Sequence, residues 1–356
     1  MSSRWSSFSF GAVLALLSGL AQAAMGLSEI PASASDGPVT VYYPSSEPAR
    51  PVRRGLVTLD VAVEAAPVRG NGRLIVISHG SGGAPWVHAN LARALVDAGF
   101  IVAMPEHHAD NYKDESDPGP DSWTIRPAEV SRAIDAVGRD PRFAPLLALD
   151  KVGMYGMSAG GHTALSLAGG RWSPALFRDH CVADIADDFQ SCVGLITRQT
   201  GGMLDPLKRS VARAVIRFRF GDDRLRSDTD PRIVAVVAGV PAAADFDMAS
   251  LVAPRVPLGL ITARQDLWLV PRFHSDRVLQ ACTTCEHIAD LPTAGHGALL
   301  SPPPPHLAGL VGHLLNDPPG FDRSTMPDVD RKIVAFFERH VLPPAPTAQL
   351  SASPRT

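Results

Sequence analysis

In Gly156-Met157-Ser158-Ala159-Gly160, residue type and spacing point directly to chemistry. A serine flanked by glycines two positions away suits a strained turn from strand to helix, where larger neighbours would clash. The preceding Val152-Gly153-Met154-Tyr155 is strand-like, and an Ala-rich helical segment follows. A helix starting at Ser158 aims its positive end at any negative charge developing beside the hydroxyl. A serine hydroxyl is a weak nucleophile by itself, so this motif calls for a base elsewhere in the chain.

Where a serine sits on such a turn, its partners follow along the chain as an acid and then a histidine. Histidines past Ser158 stand at 162, 180, 274, 287, 296, 306, 313 and 340. His162 lies on the helix that begins at the serine, and His340 belongs to a terminal helix. His296, in Thr293-Ala294-Gly295-His296-Gly297, occupies a Gly-flanked loop after the last strand pattern, where a base can hang over the sheet edge. Asp266 follows the strand-like Leu258-Gly259-Leu260-Ile261-Thr262 and precedes a new helix, so its carboxylate is the expected orienting acid. Asp245, beyond the previous strand, is the runner-up, and Asp290 lies too near a strand interior.

Stabilising an oxyanion needs two backbone N–H donors about 3 Å from the developing charge. Ala159, next to the serine, is expected to supply one. Ser81, in the loop His79-Gly80-Ser81-Gly82-Gly83, is expected to supply the other. His79, His107, Trp123 and Trp268 are candidates for the pocket wall, since aromatic rings offer apolar area in such sites. Glu106-His107-His108-Ala109-Asp110 resembles a metal cluster, but adjacent histidines on extended chain point apart. The expectation is a loop at the mouth of the site, with no metal and no cofactor.

Alternating elements must position these groups. Residues 39–43 and 56–63 read as strands, the second antiparallel. Residues 73–78, 100–104, 151–155, 232–238, 256–262 and 286–291 read as further strands. Helical patterns fall at 88–98, 126–137, 158–168, 271–281 and 328–341. The strand-helix alternation with short crossovers predicts an α/β fold with a mostly parallel sheet covered on both faces. Residues 169–230 interrupt the alternation as a cap-like insertion. Within it, Arg209, Arg213 and Arg217 recur every four residues, placing three cations on one helix face. That face is either solvated or a peripheral contact with anionic lipid or an acidic substrate.

The 356 residues, with 45% hydrophobic content, support an ample core; a net charge of −3 gives no reason to expect a nucleic-acid partner. Arg4, an apolar run over residues 10–20 and Ala21-Gln22-Ala23 form the pattern of an export signal over residues 1–23. That run is too short to span a bilayer. The hydrolase-like domain is then expected over residues 24–342, and a Pro-, Ser- and Ala-rich disordered tail over 343–356. Four cysteines suit an oxidising compartment, secreted or periplasmic. Local pairing, Cys181 with Cys192 and Cys282 with Cys285, is the simplest of three connectivities. Cys282-Thr-Thr-Cys285 also has metal or redox spacing, but lacks a second ligand pair.

The motifs SHGSGG, GMSAGG, D-x-x-x-V-P at Asp266 and GHGALLSP at His296 resemble one branch of the α/β-hydrolases. That branch is the bacterial dienelactone-hydrolase-like group, akin to platelet-activating factor acetylhydrolase and polyester-cleaving cutinases. The resemblance covers roughly residues 35–342. It implies cofactor-free hydrolysis of a small or lipid-like carboxylic ester by a Ser158–His296–Asp266 set. Dienelactone hydrolases proper use cysteine where this chain has Ser158. The rival expectations are a serine peptidase of the same fold and a non-catalytic binding protein that kept it.

Overall fold

The computed structural model describes residues 24–34 and 36–344. The export signal expected over residues 1–23 lies outside them, as does residues 345–356 of the expected tail. Among the described residues, ten strands form one sheet in the order β12-β11-β9-β7-β5-β6-β2-β1-β4-β3. These are β1 (Ala24–Ile30), β2 (Val39–Ser45), β3 (Arg50–Arg54), β4 (Val57–Val63), β5 (Leu74–Ser78), β6 (Ile101–Pro105), β7 (Val152–Met157), β9 (Ile233–Gly239), β11 (Leu258–Ala263) and β12 (Glu286–Leu291). From β6 through β5, β7, β9 and β11 to β12 every pairing is parallel. β2 joins this block antiparallel to β6, and β1 is antiparallel to β2.

The inner strands of the parallel block are buried on both faces and are apolar at nearly every position, while the edge strand β12 is half exposed. Leu74 and Val76 of β5 face one core with Val152 and Met154 of β7. Ile75 and Ile77 face the other with Tyr155 and Met157. The first core is covered by α2 (Pro120–Arg139) and α3 (Ala159–Leu167), the second by α1 (Ala89–Asp97) and α9 (Met326–Val341).

Two strands of the ten-stranded sheet differ from the sequence expectation. β1 has a weak pattern, AMGLSEI, and gains its strand form by pairing with β2 along all seven residues. β3, RPVRR, is too polar and Pro-containing to read as a strand. It forms as the outer arm of a hairpin turned at Gly55-Leu56, with Arg54 opposite Val57. Pro51 is tolerated there because β3 is the sheet's edge.

Residues 169–230 hold β8 (Arg171–Trp172), α4 (Pro174–Asp184), α5 (Phe189–Val193) and α6 (Asp205–Arg219). β8 pairs with β10 (Phe246–Asp247) in a small separate sheet. A disulfide between Cys181 and Cys192 ties α4 to α5. A second, Cys282–Cys285, closes the turn between α7 (Ser275–Ala281) and β12, so this C-x-x-C pair holds no metal in this oxidised form. The final short helix, α8 (Gly309–Leu315), precedes α9. No helix among the described residues is long and apolar enough to cross a membrane.

Candidate active site

Ser158 follows β7 directly and caps the start of α3, with φ 59° and ψ −117°. A non-glycine residue in this region carries strain of order 1–3 kcal/mol, which the surroundings must hold in place. They do so through close approach. A Cβ on Gly156 would collide with the Gly160 carbonyl, and one on Gly160 with the Ser78 carbonyl. The Ser158 N–H donates to Gly239 O at the end of β9, fixing the turn against the next strand. The bend lifts the Ser158 side chain over the carboxyl end of the parallel strands, leaving the residue 9% exposed.

His296 follows β12 on a short 3₁₀ turn, His296–Leu299. Its Nε2 lies 2.9 Å from Ser158 Oγ, although 138 residues separate the two. Its Nδ1 lies 2.6 Å from Asp266 Oδ2. Asp266 stands just past β11 and is itself clamped, its Oδ1 accepting the N–H groups of Trp268 and Leu269 at 2.8 Å each. A carboxylate only accepts, so His296 Nδ1 donates to it and Nε2 keeps a lone pair for the serine hydroxyl. The alternative acids are committed elsewhere. Asp245 Oδ2 lies 3.0 Å from His162 Nε2, and Asp290 pairs with Arg264.

The loop after β5 lies directly against Ser158: a Cβ on Gly80 would sit 3.2 Å from the serine Cβ. Beneath it runs a buried polar network. Arg126, fully buried, donates to Ser122 Oγ at 2.8 Å, His79 O at 2.6 Å and Asp110 Oδ2 at 2.8 Å. Asp110 in turn accepts from Ser81 Oγ and, at 3.0 Å, from the Gly82 N–H. Burial works to raise the Asp110 carboxyl, but the Arg126 charge and these donors outweigh it and hold it below the usual carboxylate range. The Ser81 N–H has no acceptor among the described residues. Ala159 is the first residue of α3, where backbone N–H groups lack an intrahelical partner.

His107 and His79, expected on the pocket wall, are both buried and bonded beneath the loop after β5. His107 has no exposed surface and bonds Ser78 Oγ through Nε2 at 2.7 Å and Glu129 Oε2 through Nδ1 at 2.6 Å. Burial, aided by the Arg126 charge, pushes its pKa well below the usual histidine value. Burial raises that of Glu129. Both shifts weaken the ion-pair form of this contact. His79 is also buried, its Nδ1 2.7 Å from Gly80 O. Both rings prop the loop from below. Trp123 is likewise in the core, stacked on His162 with centroids 4.5 Å apart. Trp268 is half-buried beside His296, with centroids 5.3 Å apart.

A second histidine–carboxylate group fastens the insertion to the main domain. Buried Asp188 Oδ2 lies 2.8 Å from His180 Nε2 and 2.9 Å from His274 Nε2, and its Oδ1 accepts the Val270 N–H at 3.3 Å. These three side chains are the one set among the described residues whose ligand atoms converge as a metal would require. The backbone argues against that use. Ala243 N–H donates to His274 Nδ1 at 2.9 Å, so the neutral ring carries its proton on Nε2 and offers no lone pair there. The group is a hydrogen-bonded clamp.

Sequence reasoning missed Arg126, Asp110, Glu129 and Ser78 as support for the site. One signal was present: Arg126 and Glu129 interrupt the apolar stripe Trp123, Val130, Ala133, Val137 of α2. A charge on a buried stripe requires a buried partner. Of the three arginines of α6, Arg217 is exposed and the other two bond within the insertion. Arg209 donates to Gln199 Oε1 and Arg213 to Val182 O, both turned toward the insertion, while the outward face of the helix is apolar. A cleft of about 70 Å³ lined by Tyr42, Trp86 and Tyr112 includes none of Ser158, His296 and Asp266.

No family model matches the chain, and no curated protein matches it. Among solved structures, a ferulic acid esterase from Streptomyces cinnamoneus superposes with a TM-score of 0.56 over 94% of each chain, at 16% identity. With the sheet order and the strand-turn-helix at Ser158, this likeness shows that the chain has the α/β-hydrolase fold.

Proposed function

We propose that this protein is an exported serine hydrolase of carboxylic esters that works through an acyl-enzyme. The observation that carries the reading is the continuous chain of contacts from Ser158 Oγ through His296 to Asp266, built on a strained turn. Ser158 attacks the ester carbonyl while His296 Nε2 takes its proton. Asp266 holds the ring with Nδ1 as donor and stabilises the imidazolium that forms. The Ser81 and Ala159 N–H groups receive the oxyanion. The protonated His296 passes its proton to the departing alcohol. Water, deprotonated by the same nitrogen, then releases the acid and restores the serine. Every step is assigned to groups of this chain. The two disulfides fit a protein that works in an oxidising compartment.

A fluorophosphonate probe tests the reading. Wild type is expected to label at Ser158, Ser158→Ala not at all, and labelling is expected to track hydrolysis of p-nitrophenyl esters. Hydrolysis of aminoacyl anilides in preference to esters would move the assignment to a peptidase. A folded protein that neither labels nor hydrolyses would be a binder that kept the fold.

A further inference from the structure

The turn that carries His296 is gripped from behind by one side chain. Arg323 lies in the connection between α8 and α9, with its side chain 23% exposed. Its guanidinium donates to three carbonyls of that turn: Gly297 O at 3.1 Å, Ala298 O at 3.2 Å and Leu300 O at 3.0 Å. Its two remaining N–H groups meet Asp317, just past α8, with Nη2 2.9 Å from Oδ1 and Nε bonded to Oδ2. A guanidinium has five N–H donors, and here all five are taken. None is left for an anion, so this cation is not a ligand site. Among the described residues no backbone N–H donates to Ala298 O or Leu300 O, so Arg323 is what satisfies them. The far end of the turn is tied separately: the Ser301 N–H donates to Val87 O at 2.7 Å, and Ser301 O accepts from the Asn90 N–H at 3.1 Å. Packing from α8 is equally close, since a Cβ on Gly297 would collide with Leu315 O.

Given the reading of His296 as the base, on which this rests, we propose that Arg323 is a positioning residue for His296. Its planar fork fixes the main chain of the turn so that Nε2 stays within bonding distance of Ser158 Oγ. The bonds of the ring to Ser158 and Asp266, 2.9 Å and 2.6 Å, orient it only where the backbone has already placed it. Three carbonyl oxygens held by one rigid group set both the position and the tilt of the turn. The grip begins at Gly297, the residue after His296. Misplacing a reacting group by about 1 Å costs up to about a hundredfold in rate. Lysine cannot substitute, because its three donors sit on one nitrogen without a planar fork. Asp317 has two parts. Its parallel bonds orient the guanidinium. Its charge also offsets the cation, so that no net positive charge stands behind an imidazole that must itself accept a proton. A cleft of about 210 Å³ lined by Pro303, His306, Asp317 and Arg323 leads from solvent to this pair.

Steady-state hydrolysis of a p-nitrophenyl ester, beside the rate of fluorophosphonate labelling at Ser158, tests this. Arg323→Ala is expected to lower kcat about tenfold to a hundredfold, with KM within about twofold of wild type. Guanidinium chloride at about 20 mM, far below denaturing concentrations, is expected to raise the kcat of Arg323→Ala at least about fivefold and to leave wild type unchanged. Arg323→Lys keeps the cation but not the fork, and should stay at least about tenfold below wild type. Labelling should fall and recover in step with kcat, because both need the proton taken from Ser158. A residue that only stabilised the fold would lower the urea midpoint and leave the kcat of folded enzyme as it was. That result would overturn the proposal. So would a wild-type kcat in Arg323→Lys, or no rescue of folded Arg323→Ala by guanidinium. If Arg323→Ala does not fold, Arg323→Lys alone decides. Wild type that neither labels nor hydrolyses would overturn the reading of His296 as base, and this role of Arg323 with it.

Discussion

Asp110→Asn isolates what the buried network contributes to the loop after β5, the proposed oxyanion loop. The side chain keeps its size, and its amide oxygen can still accept from Ser81 Oγ and the Gly82 N–H. What it loses is the negative charge 2.8 Å from the Arg126 guanidinium, with both groups fully buried. Arg126 would then face only neutral oxygens, from Ser122, His79 and the Asp110 main chain. Breaking a buried pair from one side costs about 3–5 kcal/mol, and the retained hydrogen bonds put this case near the lower end. The same change loosens the loop that presents the Ser81 N–H. Complete loss of one oxyanion donor costs ~10²–10³ in kcat, so a loosened donor should cost about tenfold to a hundredfold with KM little changed. Ser81→Ala is the control. It removes the hydroxyl but keeps the N–H, and should cost about 1 kcal/mol and little rate. Urea unfolding and p-nitrophenyl ester kinetics measure both effects. The sign with pH follows from the depressed Asp110 pKa: the pair stabilises the fold above the ordinary carboxylate range and is lost as pH falls through the folded value. The gap between variant and wild type should therefore narrow in acid. An Asp110→Asn enzyme with kcat within twofold of wild type would refute the claim that this network positions the loop.

Asp266→Asn can keep the acceptor for the Trp268 and Leu269 N–H groups but turns an amide N–H₂ toward His296 Nδ1. It should lower kcat by about 10³–10⁴ with stability nearly unchanged, as steady-state kinetics beside urea unfolding would show. Burial raises the Asp330 carboxyl on α9 to about 6, so the folded chain retains a proton there that the unfolded chain has released. Stability is lost as pH rises toward that value, and Asp330→Asn should be more stable than wild type by about 1–3 kcal/mol above pH ~7 and equal below pH ~4, measured by pH-dependent unfolding. Replacing Cys181 and Cys192 by serine opens a loop with a sequence separation of 11 and should cost about 3 kcal/mol in urea unfolding. The Cys282–Cys285 pair, with a separation of 3, should cost roughly half as much.

The parallel strands are legible in the sequence because they are buried on both faces and so read as unbroken apolar runs, LIVIS and IVAVVAG among them. The turn at Ser158 is legible because its geometry demands glycine at two fixed offsets. His296 and Asp266 stand out by their place after strands, and the structure brings both into contact with the serine's surroundings. The supporting network is harder to read, since Asp110 and Arg126 meet across 16 residues with no repeating pattern between them. The His180–Asp188–His274 clamp joins residues 86 apart and depends on where the insertion folds back. α6 misleads because helical spacing tells which residues share a face, not whether that face turns inward. Periodicity correctly groups its arginines, but tertiary packing draws Arg209 and Arg213 inward and leaves the aliphatic side outside.

The Asp188 clamp has a practical consequence for chimeras. One carboxylate on the insertion grips both His274 and the main chain at Val270, four residues past Asp266, while His274 is held by Ala243 beside the backbone contact of Ser158 at Ala242. Residues 169–230 are therefore not a detachable module. A graft that exchanged them without matching His274 would strand a buried anion next to the loop that aims Asp266. Recombination boundaries in this scaffold should treat residues 180–192 and 243–274 as one inherited unit.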